Sequence, residues 1–221
     1  MTSNELIKIG SVLLKKNNIK SYTIDTELIL SNIFGQSREK FLTNQDIKFS
    51  QAQIDTFNHL ISRRALSKEP IAYLLNKKEF WSNKLNIDKG VLIPRPETEM
   101  LVEGLAKYFK NRKLFMLDVG TGSGCIIISL LQELKKSRGI AIDVSNKALK
   151  IAKKNSKINK TFDRIKFINS SICNFYGSKF DLIISNPPYI ANHQLKNLED
   201  DIKFFEPKLA LDGGNDGLDV M

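Results

Sequence analysis

Two short segments of this chain hold residue types that could do chemistry. The first is Asp118-Val119-Gly120-Thr121-Gly122-Ser123-Gly124. Glycines there let a backbone turn with positive φ and approach a ligand closely. The spacing is G-x-G-x-G, one residue tighter than the dinucleotide fingerprint. Asp118 just ahead of the loop would repel a pyrophosphate and could accept a hydrogen bond from, or pair with, an ammonium. S-adenosylmethionine carries an amino group and a sulfonium but no phosphate, so the charge pattern favours it over NAD. Asp143 follows about 20 residues later, where a carboxylate binds ribose hydroxyls. Read as a plain turn and a helix cap, the segment would leave the joint spacing of Asp118, three glycines and Asp143 unexplained.

The second segment is Asn186-Pro187-Pro188-Tyr189, directly after the apolar run FDLII. Pro-Pro is ordinary strand-ending punctuation taken alone. Beside a methyl donor it gains a use. An amide or exocyclic –NH2 attacks poorly because its lone pair is delocalised. The Asn186 side-chain oxygen and the Pro187 backbone oxygen can accept from its two hydrogens, fixing its orientation. The prolines stiffen that backbone, and Tyr189 can lay its ring on a flat amide or base. Asn186 would also face the transferable methyl group.

These segments need a scaffold, and the surrounding pattern supplies one. LFMLDVG, GIAIDV, RIKFINS and FDLIISN read as strands. CIIISLLQELKK and SNKALKIAKKNSKIN read as helices between them, the second capped by Ser145. The alternation predicts a Rossmann-like α/β fold: an open parallel sheet with helices on both faces and ligands at the carboxyl edge. Upstream, ELIKIGSVLLKK has a helical period through Leu6, Ile9, Leu13 and Leu14. IDTELILSNIFG ends at Gly35 as a C-cap, Ser50 N-caps a third helix, and Pro70 opens EPIAYLLN. A small all-α bundle over residues 1–75 is expected. KEFWSNKLNID and GVLIPRPETE are read as extended runs with Asp88, Lys89 and Gly90 between them, a hairpin or linker over 76–96. Glu97 and Glu99 then open a helix, and residues 97–221 form the expected methyltransferase domain.

Composition narrows the class. The 221 residues are 42% hydrophobic and 26% charged, which are globular values. No run approaches the ~20 apolar residues of a membrane span. The net charge of +10 comes mainly from scattered lysine, without aromatics interleaved as a stacking platform. Cys125 and Cys173 make no metal or disulfide pattern, and His59 and His193 are too few for a metal site. A cytoplasmic, reduced, metal-free monomer is expected, with no membrane and no direct nucleic-acid partner.

Together DVGTGSG, Asp143 and NPPYI resemble the amino-methyltransferases. PRPETE and FFEPKLALDGGNDGL make the chain similar to the HemK/PrmC family of release-factor glutamine N5-methyltransferases. The resemblance implies S-adenosylmethionine held by Gly120, Thr121, Gly122, Ser123, Gly124 and Asp143, with Asn186 between cofactor and substrate. It implies Asn186, Pro187, Pro188 and Tyr189 gripping the glutamine of the Gly-Gly-Gln loop of class 1 peptide chain release factors. The helical domain would help recognise that partner. Arg95, Glu97 and Glu99 are read as shaping the linker, and Glu206 as structural. Where relatives place an adenine contact, this chain has Ser170 and Ser171, so a hydroxyl or backbone contact is expected from Ser171. The family's sheet continues further, so the chain is expected to be C-terminally incomplete, a fragment or the front of a longer polypeptide. Two alternatives stay open: an adenine N6-methyltransferase acting on DNA or RNA, and an inactive remnant that binds S-adenosylmethionine.

Overall fold

The computed structural model describes residues 1–44, 47–176 and 179–220. The chain divides into two compact units, Met1–Leu75 and Asn76–Met221. No described helix is long and apolar enough to cross a membrane.

The first unit is helical: α1 (Ser3–Lys16), α2 (Tyr22–Phe34), α3 (Arg38–Thr43), α4 (Gln51–Ser67) and α5 (Ile71–Leu75). Local signals set its ends. Thr2 and Glu5 form a capping box on α1, Ser50 and Gln53 another on α4, and Gly35 closes α2 in the left-handed conformation. Leu6, Gly10 and Leu14 line the inner stripe of α1. Ile9, expected on that stripe, is 47% exposed. Gly10 takes its place because a Cβ there would sit 2.6 Å from Thr26 Cγ2 and 2.9 Å from Phe57 Cζ. Packing α1 closely on α2 and α4 thus excludes a side chain. Phe41, Phe57, Leu30 and Ile29 fill the core.

The second unit begins with β1 (Lys77–Phe80) and β2 (Asn83–Asn86), an antiparallel pair. The expected turn at Asp88–Gly90 is therefore corrected: the hairpin closes at Trp81-Ser82, inside the first extended run. Both residues have positive φ, 49° and 58°. That is the signature of a tight two-residue hairpin turn. Three polar contacts hold it. Trp81 N–H donates to Glu99, its indole Nε1–H donates to Glu133 at 2.8 Å, and Asn83 donates to the Trp81 carbonyl.

The remaining elements are α6 (Glu97–Tyr108), β3 (Phe115–Val119), α7 (Cys125–Glu133), β4 (Arg138–Asp143), α8 (Asn146–Ile158), β5 (Ile165–Asn169), β6 (Leu182–Ser185) and α9 (Asp200–Phe205). The strands form a parallel sheet in the order β5-β4-β3-β6. The order reverses at β3, which makes its carboxyl end the switch point. α7 packs against α6 and α8, giving one contiguous helical layer. On β6, Ile184 is buried while Ile183 is 62% exposed, the alternation of a strand covered on one face. The second helical layer expected from the sequence is not found among the described residues. α3 and α9 are six-residue helices that the periodicity does not reveal.

Candidate active site

The site grows from the carboxyl edge of β3. Gly120, Gly122 and Gly124 have φ of 68°, 56° and 81°. Their reasons differ. A Cβ on Gly124 would meet Ile128 Cδ1 at 2.9 Å and Ala152 Cβ at 3.2 Å, so Gly124 lets α7 approach α8. A Cβ on Gly120 would meet nothing within 4 Å, so open volume adjoins the loop there.

The loop's amides are already engaged. Gly120 and Thr121 N–H both donate to the Ile142 carbonyl, at 2.9 and 3.0 Å, and Gly124 N–H donates to the Thr121 carbonyl. Gly122 N–H donates to Asp143 Oδ2 at 2.8 Å. The Ser123 hydroxyl is buried without a partner.

Asp118 lies beneath this loop, 1% exposed. Its Oδ2 accepts from Thr121 Oγ1 at 2.7 Å, so here it braces the turn. Burial pushes its carboxyl up to about 7, against the Thr121 hydrogen bond and with added repulsion from Asp143. Cys125, at the start of α7, has its thiol pushed up to about 12 by burial, which makes it unsuited as a nucleophile.

Asp143 ends β4. Its Oδ1 accepts from Ser145 N–H and its Oδ2 from Gly122 N–H, both at 2.8 Å. Two amides fix the carboxylate, and each oxygen keeps a lone pair. Asn169 Nδ2 and Ser170 N–H donate to the Asp143 carbonyl, tying the end of β5 beside it. Ser170 Oγ donates to the Ser171 carbonyl, and Ser171 is extended and half-buried.

The register brings the second segment alongside. Val119 pairs with Ser185, and Ser185 Oγ donates to the Val119 carbonyl at 3.0 Å. Gly120 and Asn186 therefore leave adjacent strands at the same edge. Asn186, Pro187 and Tyr189 line a cavity of about 420 Å³, with Tyr189 61% exposed. Pro188 is half-buried and outside the lining set.

Three further segments contribute to this cavity: residues 92–101, Leu198 with Ile202, and Ala210 with Leu211. Residues 211–217 run beside the asparagine loop. Ile190 N–H donates to the Leu211 carbonyl, Gly213 N–H to the Ile190 carbonyl, and Asn192 N–H to the Gly214 carbonyl. A Cβ on Gly217 would fall 2.5 Å from the Tyr189 carbonyl, so only glycine fits against that loop. Leu92, Arg95, Glu97, Thr98 and Leu101 also line the cavity. Arg95 Nη2 donates to Glu206 Oε1 at 2.6 Å, and Ile93 N–H donates to Glu206 Oε2 at 3.1 Å. Sequence reasoning gave Arg95 and Glu206 only a shaping role. Their separation of 111 residues leaves no spacing signal. The one hint is an arginine held between two prolines.

Fold and site together define an α/β methyltransferase. The Methyltransferase small domain family matches residues 85–203, and the PrmC N-terminal domain matches residues 5–75. A release factor glutamine methyltransferase of Caulobacter vibrioides is 39% identical over 93% of this chain and 71% of its own length. A second, from Clostridium acetobutylicum, is 37% identical over 97% of this chain and 76% of its own. Among solved structures, a ribosomal protein L11 methylase from Lactobacillus delbrueckii subsp. bulgaricus aligns with a TM-score of 0.40, at 24% identity, over 52% of this chain and 58% of that one. This chain belongs to the release factor glutamine methyltransferase family.

Proposed function

We propose that the chain methylates the side-chain amide nitrogen of the glutamine in the Gly-Gly-Gln motif of class 1 peptide chain release factors. One observation carries the reading. The Asn186-Pro187 segment lines a cavity at the same sheet edge as the glycine loop, one strand away.

S-adenosylmethionine supplies the methyl group when bound. The loop fits it. Open volume at Gly120 admits a ligand against the backbone, and Ser123 offers a buried, unpartnered hydroxyl. Asp143 presents fixed carboxylate oxygens suited to a ribose diol. The engaged amides of Gly120, Thr121, Gly122 and Gly124 leave little of the nest a pyrophosphate needs. Asp118 supports the loop through Thr121, and Ser171 takes the adenine-side position.

Asn186 Oδ1 and the Pro187 carbonyl accept from the two N–H groups of the substrate amide. They fix its plane and raise electron density on nitrogen. Tyr189 covers the amide face. As the N–CH3 bond forms and the donor's S–CH3 bond breaks, the two acceptors hold the nitrogen's hydrogens until one leaves as a proton to solvent water. Residues 1–75 are assigned to release-factor recognition, residues 76–96 to the linker and 97–221 to catalysis. A protein substrate of translation places the chain in the cytoplasm.

The test is a methyl-transfer assay with isotopically labelled S-adenosylmethionine, an unmodified release factor, and plasmid DNA in parallel. Label should appear on the Gly-Gly-Gln glutamine, located by mass spectrometry, and vanish in Asn186→Ala. A folded protein that binds the cofactor yet labels DNA, or labels nothing, overturns the reading.

A further inference from the structure

Arg95 lines the same cavity as the asparagine loop, and its placement is unusually determined. Pro94 and Pro96 flank it and restrict the backbone on both sides. Glu206, with its side chain 1% exposed, accepts from Ile93 N–H and from Arg95 Nη2. Each carboxylate oxygen thus holds one point of this stretch of linker.

The guanidinium is not used up by this. It has five N–H donors in a rigid fork. Among the described residues its hydrogen bond goes to Glu206, through Nη2. The side chain remains 31% exposed and lines the same cavity as Asn186, Pro187 and Tyr189. Leu92, Leu101, Leu198 and Ile202 give the lining an apolar share, and Glu97 and Thr98 stand in it with Arg95. A rigid donor fork lining the cavity of the asparagine loop can offer hydrogen bonds to acceptors of a substrate seated there.

Resting on the function proposed above, the substrate places two glycines before the reacting glutamine. Glycine offers only its peptide group as a handle. We infer that Arg95, oriented by Glu206, is a substrate-binding residue that donates to the backbone carbonyls of those glycines, while Asn186 and Pro187 hold the amide. Glu206 is then a positioning residue, acting through Arg95.

The test is steady-state kinetics on the full chain with a release factor as substrate, together with calorimetric titration of S-adenosylmethionine and thermal unfolding. Arg95→Met should raise KM for the release factor about tenfold or more, the loss of one charge-assisted hydrogen bond. Its kcat should stay within about threefold and its cofactor affinity within about twofold. Arg95→Lys, which keeps the charge but loses the fork, should restore part of the loss. Glu206→Gln should move KM in the same direction by less. An unchanged KM in Arg95→Met overturns the inference. So does a parallel fall of cofactor affinity, kcat and Tm, which a purely structural role would give. If the wild type places no methyl on the glutamine, the proposed function falls first. Release-factor binding with S-adenosylhomocysteine present then judges Arg95 alone. Weaker binding by Arg95→Met sustains the inference, while equal binding, or none by the wild type, overturns it.

Discussion

Asn155 donates from Nδ2 to the Ser123 carbonyl at 2.9 Å, joining the buried face of α8 to the glycine loop. The same amide accepts from Asn86 N–H at Oδ1 and donates to the Asn86 carbonyl. One fully buried carboxamide therefore fixes β2, α8 and the loop together. Asn155→Leu would preserve volume but strand several buried polar groups. We expect it to cost about 2–4 kcal/mol of stability. Calorimetry should also show weaker S-adenosylmethionine binding, because the loop loses a brace. Unaltered binding and unfolding would show that the loop holds its shape without Asn155.

The loop glycines should separate binding from packing. Gly120→Ala meets open space but forces a non-glycine residue to φ near 68°. It should cost about 1 kcal/mol of stability while its methyl intrudes on the cofactor volume and weakens binding severalfold. Gly124→Ala adds the same strain plus contacts at 2.9 and 3.2 Å with Ile128 and Ala152. It should cost about 2–3 kcal/mol, mainly in unfolding. Thermal melts and cofactor titration on both variants check the contrast, which fails if the two glycines behave alike.

What the sequence made legible follows from local physics. Helix caps at Ser50 and Ser145, the β3 run into the glycine loop, and the Asn186 segment at the next strand end are all written in contiguous residues. The hairpin turn was not legible there. Trp81-Ser82 has none of the Asn-Gly chemistry that marks such a turn, and tertiary partners Glu99 and Glu133 supply what propensity lacks. Asp88, Lys89 and Gly90 looked like the turn because they stand between two extended runs; Gly90 does take a positive φ, 115°, but outside the hairpin and beside the Lys147 side chain. Arg95 with Glu206, and Asn155 with Ser123, are long-range pairs that no periodicity encodes. Asn155 left one trace, a polar residue on the inward stripe of α8 beside Ala148, Leu149 and Ala152.

The strained turn offers a route to stabilisation. Ser82 is exposed with φ of 58°, a conformation glycine adopts without penalty. Ser82→Gly should raise stability by about 0.5–1 kcal/mol, the relief of left-handed strain less the entropy that glycine adds to the unfolded chain. Urea unfolding of the two proteins side by side measures it. A destabilised variant would mean that Ser82 holds the turn through its side chain.

Within the helical unit, Arg64 Nε donates to Asp25 Oδ2 at 2.7 Å, and both residues are under one-tenth exposed. Arg64 Nη1 also donates to the Lys68 and Glu69 carbonyls just past the end of α4. Asp25→Ala would take one carboxylate away from the buried guanidinium. The expected loss is about 3 kcal/mol. Hydrogen exchange resolved by segment should show the loss in residues 1–75. An unchanged exchange pattern would assign the pair no stabilising role.

Asp118 should impose a pH dependence of definite sign. Its carboxyl titrates near 3.8 when unperturbed and is raised to about 7 in the fold, chiefly by burial. Between those values the folded chain keeps a proton that the unfolded chain has released. Its contribution is thus fully present below the unfolded value and is lost as pH rises through the folded one. Asp118→Asn cannot ionise, and its amide oxygen still accepts from the Thr121 hydroxyl. The variant should gain on the wild type, on the order of 4 kcal/mol, as pH rises from about 4 to about 8. Thermal unfolding across that range reads the difference directly. Parallel curves for the two proteins would mean that Asp118 is ionised in the fold at every pH, with a partner for its charge that the geometry around Thr121 and Asp143 does not provide.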